Sequence, residues 1–134
     1  MKVEGGCHCG AIAFEAEIDP EKVILCHCTD CQTLSGAPYR SVAFTRPGGF
    51  TLLRGELKTY VKTADSGNRR AQTFCPDCGA PIYAASLDEG PKVYGLRVGA
   101  LKQRAQLKPK AQYWTHSAQD WVQDLSGVEK IGGD

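Results

Sequence analysis

All seven cysteines of this chain fall into three tight groups: Cys7-His8-Cys9-Gly10, Cys26-His27-Cys28-Thr29-Asp30-Cys31 and Cys75-Pro76-Asp77-Cys78-Gly79. Thiolates at such spacings are zinc ligands first and disulfide partners a distant second. A closed structural zinc site takes four protein ligands, whereas a catalytic one takes three and keeps a position open. Seven thiols divide naturally into one of each. The first and third groups offer two thiols apiece, and each is followed by a glycine that can turn the chain beneath the sulfurs. Cys7, Cys9, Cys75 and Cys78 are therefore expected to form a structural Cys₄ zinc site. The middle group, Cys26, Cys28 and Cys31, can hold a second zinc as a tripod whose fourth position takes water or a substrate thiol. There zinc would act as a Lewis acid and lower the pKa of what it binds. Spacing alone leaves two other arrangements open: one of His8, His27 or His116 completing the middle site, or all seven cysteines sharing one cluster. His8 and His27 occupy the middle of a C-x-C, where the side chain should point away from the metal. They are expected as solvent-facing or outer-layer groups rather than ligands, and His116 as a pocket or core-capping residue.

The elements that must position these groups are short. Runs with β character recur at Ala11–Ala16, Val23–Cys26, Tyr39–Phe44, Phe50–Leu53, Thr59–Lys62, Ala71–Phe74, Ile82–Ala85, Val93–Val98 and Gln112–Trp114. Turn signals separate them at Asp19-Pro20, Pro47-Gly48-Gly49, Ser66-Gly67-Asn68 and Glu89-Gly90-Pro91. The pattern predicts an all-β domain of small antiparallel sheets, stabilised by zinc. One helix is expected over Thr29–Ser35, capped by Thr29 or Asp30 and stopped by Gly36, with Cys31 in its first turn, where unpaired amides favour a thiolate. A second helical turn is expected within Ser117–Val122, and a frayed tail over Ile131–Asp134.

The 134 residues are expected to form a single domain, 1–134. With 16 basic and 15 acidic residues the net charge is +1, and no basic block forms; Arg69-Arg70 is taken as a solvated loop pair. No nucleic-acid partner is expected. Nothing approaches the ~18 apolar residues of a membrane span, and the first residues lack the apolar run of a signal peptide. These features point to the cytoplasm, where thiols stay reduced.

Taken together, the motifs resemble the glutathione-dependent formaldehyde-activating enzyme family, whose domain is shared with centromere protein V. The resemblance runs through Gly5-Gly6-Cys7-His8-Cys9-Gly10, the middle cysteine motif, Ser35-Gly36-Ala37-Pro38, Phe50, Leu53-Arg54-Gly55 and Phe74 to Gly79, and ends at Tyr113-Trp114 and Trp121. It implies a β-tent fold with two zinc ions per chain. The structural one would be held by Cys7, Cys9, Cys75 and Cys78, the catalytic one by Cys26, Cys28 and Cys31. The implied activity joins formaldehyde to glutathione as S-hydroxymethylglutathione, a carbon–sulfur lyase reaction in reverse. Two positions depart from the family: Gln32 stands where many relatives carry Lys or Arg, and the proline usually found just before the last tryptophan is missing. Arg40, Arg97 and Lys102 are candidate partners for substrate carboxylates.

The leading expectation is a zinc-dependent carbon–sulfur lyase acting on a small thiol or thiol–aldehyde adduct, with oligomeric state left open. The alternative is a non-catalytic, zinc-stabilised binding module. A thiol redox protein ranks last, because no cysteine lies outside the three groups.

Overall fold

The computed structural model describes residues 1–133. Antiparallel pairing dominates. Strands β1 (Lys2–Gly6), β2 (Ala13–Cys26), β3 (Arg40–Arg54), β4 (Lys58–Thr63), β5 (Arg69–Phe74), β6 (Pro81–Ser86) and β7 (Gly95–Arg97) join in the order β1-β2-β3-β7-β6-β5-β4. A short strand, β8 (Ala111–Tyr113), adds in parallel to the C-terminal end of β2. The helix α1 spans Thr29–Ser35, as the sequence predicts, and Gly36 ends it in the left-handed region at φ 65°.

Two long strands explain how the expected small sheets become continuous. The runs at 11–16 and 23–26 are halves of β2, and those at 39–44 and 50–53 are halves of β3. Between the halves the β2–β3 register slips, at Ala16/Ile18 and Ile18/Val23. Asp19-Pro20 and Pro47-Gly48-Gly49 therefore mark irregularities inside strands rather than chain reversals. Bulges of this kind bend a strand and increase its twist. Arg69-Arg70 opens β5 instead of sitting in a loop. The run at 93–98 shortens to β7 followed by a 3-10 turn at Val98–Ala100. In place of a helical turn within Ser117–Val122 there is a 3-10 turn at Thr115–Ser117 and a hydrogen-bonded turn closed by Val122 N donating to Gln119 O. Residues 131–133 are exposed and irregular, and Asp134 lies outside the described residues.

Alternation sets the core. Phe14, Ala16 and Ile18 of β2 point inward with Val3, Ile82, Leu96 and Leu101, all nearly inaccessible to solvent. Phe50 links this core to an aromatic cluster, its ring centroid 4.9 Å from Tyr83, 5.1 Å from Tyr94 and 5.2 Å from Phe14. Cys75 is part of the same core. No helix among the described residues is long and apolar enough to cross a membrane.

Candidate metal centres

Two hairpin tips bring the first and third cysteine groups together. The β1–β2 connection carries Cys7 and Cys9, and the β5–β6 connection carries Cys75 and Cys78. Each tip turns on a glycine at positive φ, Gly10 at 86° and Gly79 at 78°, which a side chain would strain. Backbone bonds close the tips: Cys75 N donates to Ala80 O at 3.0 Å, Gly79 N to Cys75 O at 2.8 Å, and Cys7 N to Ile12 O at 3.3 Å.

The four sulfurs lie within 4.8 Å of one another. Cys7 Sγ is 3.6 Å from Cys9 Sγ, which is 3.8 Å from Cys75 Sγ. A tetrahedron with zinc–sulfur bonds of about 2.3 Å has sulfur–sulfur edges of about 3.8 Å, so the donor set fits a tetrahedral ion of that size. Amides point at the sulfurs as well, Ile12 N donating to Cys7 Sγ at 3.2 Å. The amide of Ala80, with that of Cys9, holds the Cys78 thiol down at about 6. At Cys9 the Ala11 amide favours thiolate, but hydrogen bonds shared with Cys7, Cys75 and Cys78 push the thiol up to about 12. Four sulfurs this close cannot all ionise unless a cation offsets their repulsion.

The middle group is built differently. Cys26 ends β2, Cys28 is the N-cap of α1, and Cys31 sits one turn later. The N-cap is thus Cys28 rather than Thr29 or Asp30: its sulfur accepts the Cys31 amide at 3.2 Å, taking the place an oxygen usually fills. The three sulfurs lie within 4.8 Å of one another, all half-buried. No histidine or carboxylate joins either group, and the two groups are separate, among the described residues. Burial, and then hydrogen bonds with Cys28 and Cys26, push the Cys31 thiol up to about 12. Burial opposes ionisation of Cys28 too, but the Cys31 amide and the neighbouring thiols lower it on balance. None of the seven cysteines is disulfide-bonded.

Glutamine side chains hold the middle group to the C-terminal segment. Gln32 Nε2 donates to His27 O at 2.8 Å and to Ser117 O at 3.1 Å, and its Oε1 accepts Gln119 Nε2 at 2.8 Å. Gln32 thus both donates and accepts at this junction. His27 is fully buried rather than solvent-facing, with Nε2 against Gln112 Oε1 at 2.8 Å and Nδ1 without a partner. His8 is exposed. His116 is also exposed, its ring 5.3 Å from that of Trp114, so it neither caps the core nor joins a sulfur group. Gln32→Ala should cost about 1 kcal/mol in urea unfolding and speed amide exchange over residues 115–119, because two part-buried carbonyls lose their donor. Gln32→Lys, which keeps a donor, should cost less.

Of the three cations proposed for substrate carboxylates, Lys102 is exposed and paired with Glu4 at 3.5 Å. Arg40 and Arg97 are buried side by side. A cavity of about 230 Å³ is lined by Leu34, Arg40, Tyr60, Gln72, Tyr83 and Arg97. A larger one of about 840 Å³ shares Arg40 and Arg97 and extends to Ser35, Tyr39 and Cys7. Sequence reasoning singled out neither Gln72 nor the pairing of the two arginines. The available signal was an arginine in phase with buried Val42 in β3, and another between Leu96 and Val98.

An uncharacterised lyase of Schizosaccharomyces pombe is 30% identical over 82 residues, 61% of this chain and 56% of the relative. The chain thus spans about half the length of that curated relative. A crystal structure of a Rhodobacter sphaeroides protein superposes with a TM-score of 0.61 at 23% identity, covering 81% of this chain and 98% of that one, a likeness of fold. The sequence profile described as glutathione-dependent formaldehyde-activating enzyme matches residues 2–117, a span that takes in all three cysteine groups. The chain belongs to the glutathione-dependent formaldehyde-activating enzyme family.

Proposed function

We propose that this chain is a zinc enzyme that makes or breaks a carbon–sulfur bond in a small thiol–aldehyde adduct. Cys7, Cys9, Cys75 and Cys78 would hold a structural zinc, and Cys26, Cys28 and Cys31 a catalytic one. The observation that carries this reading is the unequal donor count, with four sulfurs in one group and three in the other. Zinc at the three-sulfur site would supply Lewis acidity, lowering the pKa of a bound thiol or polarising a carbonyl.

The chain's own residues would do the rest. The Cys31 amide and the Gln32 bridges hold the tripod's geometry. The β2–β3 register sets Arg40 directly across from Cys26, so a cation flanks the tripod, and Arg40 also lines both cavities. A thiol bound beside Arg40 would lose its proton, its sulfur would add to the aldehyde carbon, and the carbonyl oxygen would take up a proton. The reverse step releases both molecules, and no oxidant is consumed. Gain in rate would come from fixing two small partners in one orientation. Family membership supports glutathione and formaldehyde as the pair, and the lyase name of the fission-yeast relative supports the reaction class. The whole chain would act as one domain in the cytoplasm, where cysteine ligands stay reduced.

The test is the rate at which S-hydroxymethylglutathione forms from its two components, followed by NMR exchange. The zinc-loaded chain should speed exchange above the uncatalysed rate, and no acceleration with glutathione or simpler thiols would contradict the proposal. A second reading, a zinc-stabilised binding module, is favoured by the exposed Trp114, Trp121, Leu125 and Val128. On that reading both zinc ions would be present without any acceleration.

A further inference from the structure

Two arginines lie inside this protein without an aspartate or glutamate partner, and the thiols of Cys31 and Cys26 are the acidic groups that favour the charge on Arg97. Arg40 is 7% exposed and Arg97 9%. Ion pairs among the described residues lie elsewhere, at Met1–Glu17, Lys2–Glu15, Lys62–Asp30 and Lys102–Glu4. Both guanidiniums converge instead on one neutral atom, Gln72 Oε1. Arg97 Nη2 donates to it at 2.9 Å and Arg40 Nη1 at 3.3 Å. Arg97 Nη1 also reaches Gly95 O at 3.4 Å.

This arrangement is costly as it stands. A guanidinium carries five N–H donors and stays charged, so burying it with fewer partners than donors is unfavourable. Two beside each other add repulsion. Burial, followed by the charge of Arg40, lowers Arg97 to about 9, which leaves it protonated at neutral pH. Among the described residues, the one side-chain polar atom sealed from solvent without a partner is His27 Nδ1. The unengaged guanidinium donors are therefore accessible, and both arginines line both cavities. Neither cavity wall includes an aspartate or glutamate, and the larger adds Arg54, Lys102 and Arg104.

Register places the pair beside the sulfur tripod. Arg40 is the ladder partner of Cys26, and Arg97 that of Val42, two residues along β3 on the same face. Cross-strand partners have Cβ atoms about 4.5–5.5 Å apart. The walls of the two cavities include no cysteine of the tripod, so it is the register that sets a molecule anchored on the arginines beside Cys26.

We infer that Arg40 and Arg97, positioned by Gln72, form a subsite for a carboxylate of a small anionic substrate whose reactive end reaches Cys26, Cys28 and Cys31. The planar fork of a guanidinium matches a carboxylate two-to-two, and one carboxylate bridging both forks relieves their repulsion. The assignment rests on the proposed function only in making the carboxylate part of a thiol substrate.

The test titrates the zinc-loaded full chain with 3-mercaptopropionate, neutral 3-mercaptopropan-1-ol, propionate and inorganic phosphate, reading affinity by calorimetry. A cobalt(II)-loaded sample reports by its visible spectrum whether a thiol reaches the metal. 3-Mercaptopropionate should bind about tenfold or more tightly than the alcohol, and propionate should compete with it. Gln72→Glu supplies a built-in carboxylate to both arginines. It should raise Tm by several degrees and abolish propionate binding, a result that a folding defect cannot mimic. Arg97→Gln should erase the preference for the charged thiol. Equal binding of charged and neutral thiols, an unchanged preference in Gln72→Glu, or phosphate outcompeting propionate would overturn the inference. If propionate binds in a Gln72-dependent way while no thiol alters the cobalt spectrum, the subsite stands and the thiol reading fails. If both thiols alter the spectrum alike and propionate does not bind, the thiol reading stands and the subsite fails.

Discussion

Replacing Cys75 with serine should unfold the domain. Cys75 is fully buried in the core with Val3, Ile12 and Ile82, and its sulfur lies 3.8 Å from that of Cys9 on another hairpin. A zinc ion held by this group would tie the N-terminal hairpin to the β5–β6 hairpin at the far side of the chain order. Structural zinc contributes about 10 kcal/mol or more in small zinc domains. The whole stability of a domain this size is about 5–15 kcal/mol. Serine is a poor zinc ligand, and it leaves a hydroxyl in an apolar setting. The expected result is loss of the cooperative thermal transition and of the near-ultraviolet circular dichroism, with the same outcome when the wild-type chain is stripped of metal. A Cys75→Ser protein that melts within a few degrees of wild type would contradict the structural assignment.

Replacing Cys28 with serine should do the opposite, sparing the fold and removing the chemistry. Helix α1 buries none of its own residues, and Cys28 contributes to it chiefly as an N-cap. Serine is among the best N-caps, so its hydroxyl can accept the Cys31 amide in place of the sulfur. What it cannot replace is a thiolate in a three-sulfur tripod. The variant should therefore melt close to wild type, retain the structural zinc, lose the other, and form carbon–sulfur adducts at least about a hundredfold more slowly. Metal analysis of the purified variant beside the exchange assay checks both halves of the expectation. Full activity with only the four-sulfur site loaded would show that the tripod is not the reactive centre.

Ligand spacing made the partition of the cysteines legible before any fold was known, because C-x-C and C-x-x-C pairs can come together only through a few turns. The helix from Thr29 to Ser35 was legible too, since Gly36 marks its end. Long-range pairing was not. Pro20 and Gly48-Gly49 read as chain reversals, yet the flanking strands continue past them because the register slips locally and the neighbouring strand follows. Strand β1 escaped notice because its two glycines weaken the alternation that Val3 begins; pairing with Ala13–Glu17 holds it in place. His27 is a non-ligand as alternation suggests, but its burial is not legible locally. Alternation turns it away from the sulfurs, but β8 and the C-terminal segment cover that side, so away from the metal is not toward water. The arginine pair depends on three strands meeting at Gln72, which no local pattern encodes.

The account turns on a four-plus-three division of sulfur. Zinc X-ray absorption on the reduced, fully loaded chain measures it directly. Two zinc ions per chain are predicted, with four sulfurs on one and three on the other, averaging about 3.5 per zinc, together with a light-atom or exogenous ligand that glutathione can replace. One zinc per chain in a uniform four-sulfur environment, with Cys26, Cys28 and Cys31 freely alkylated, would contradict it.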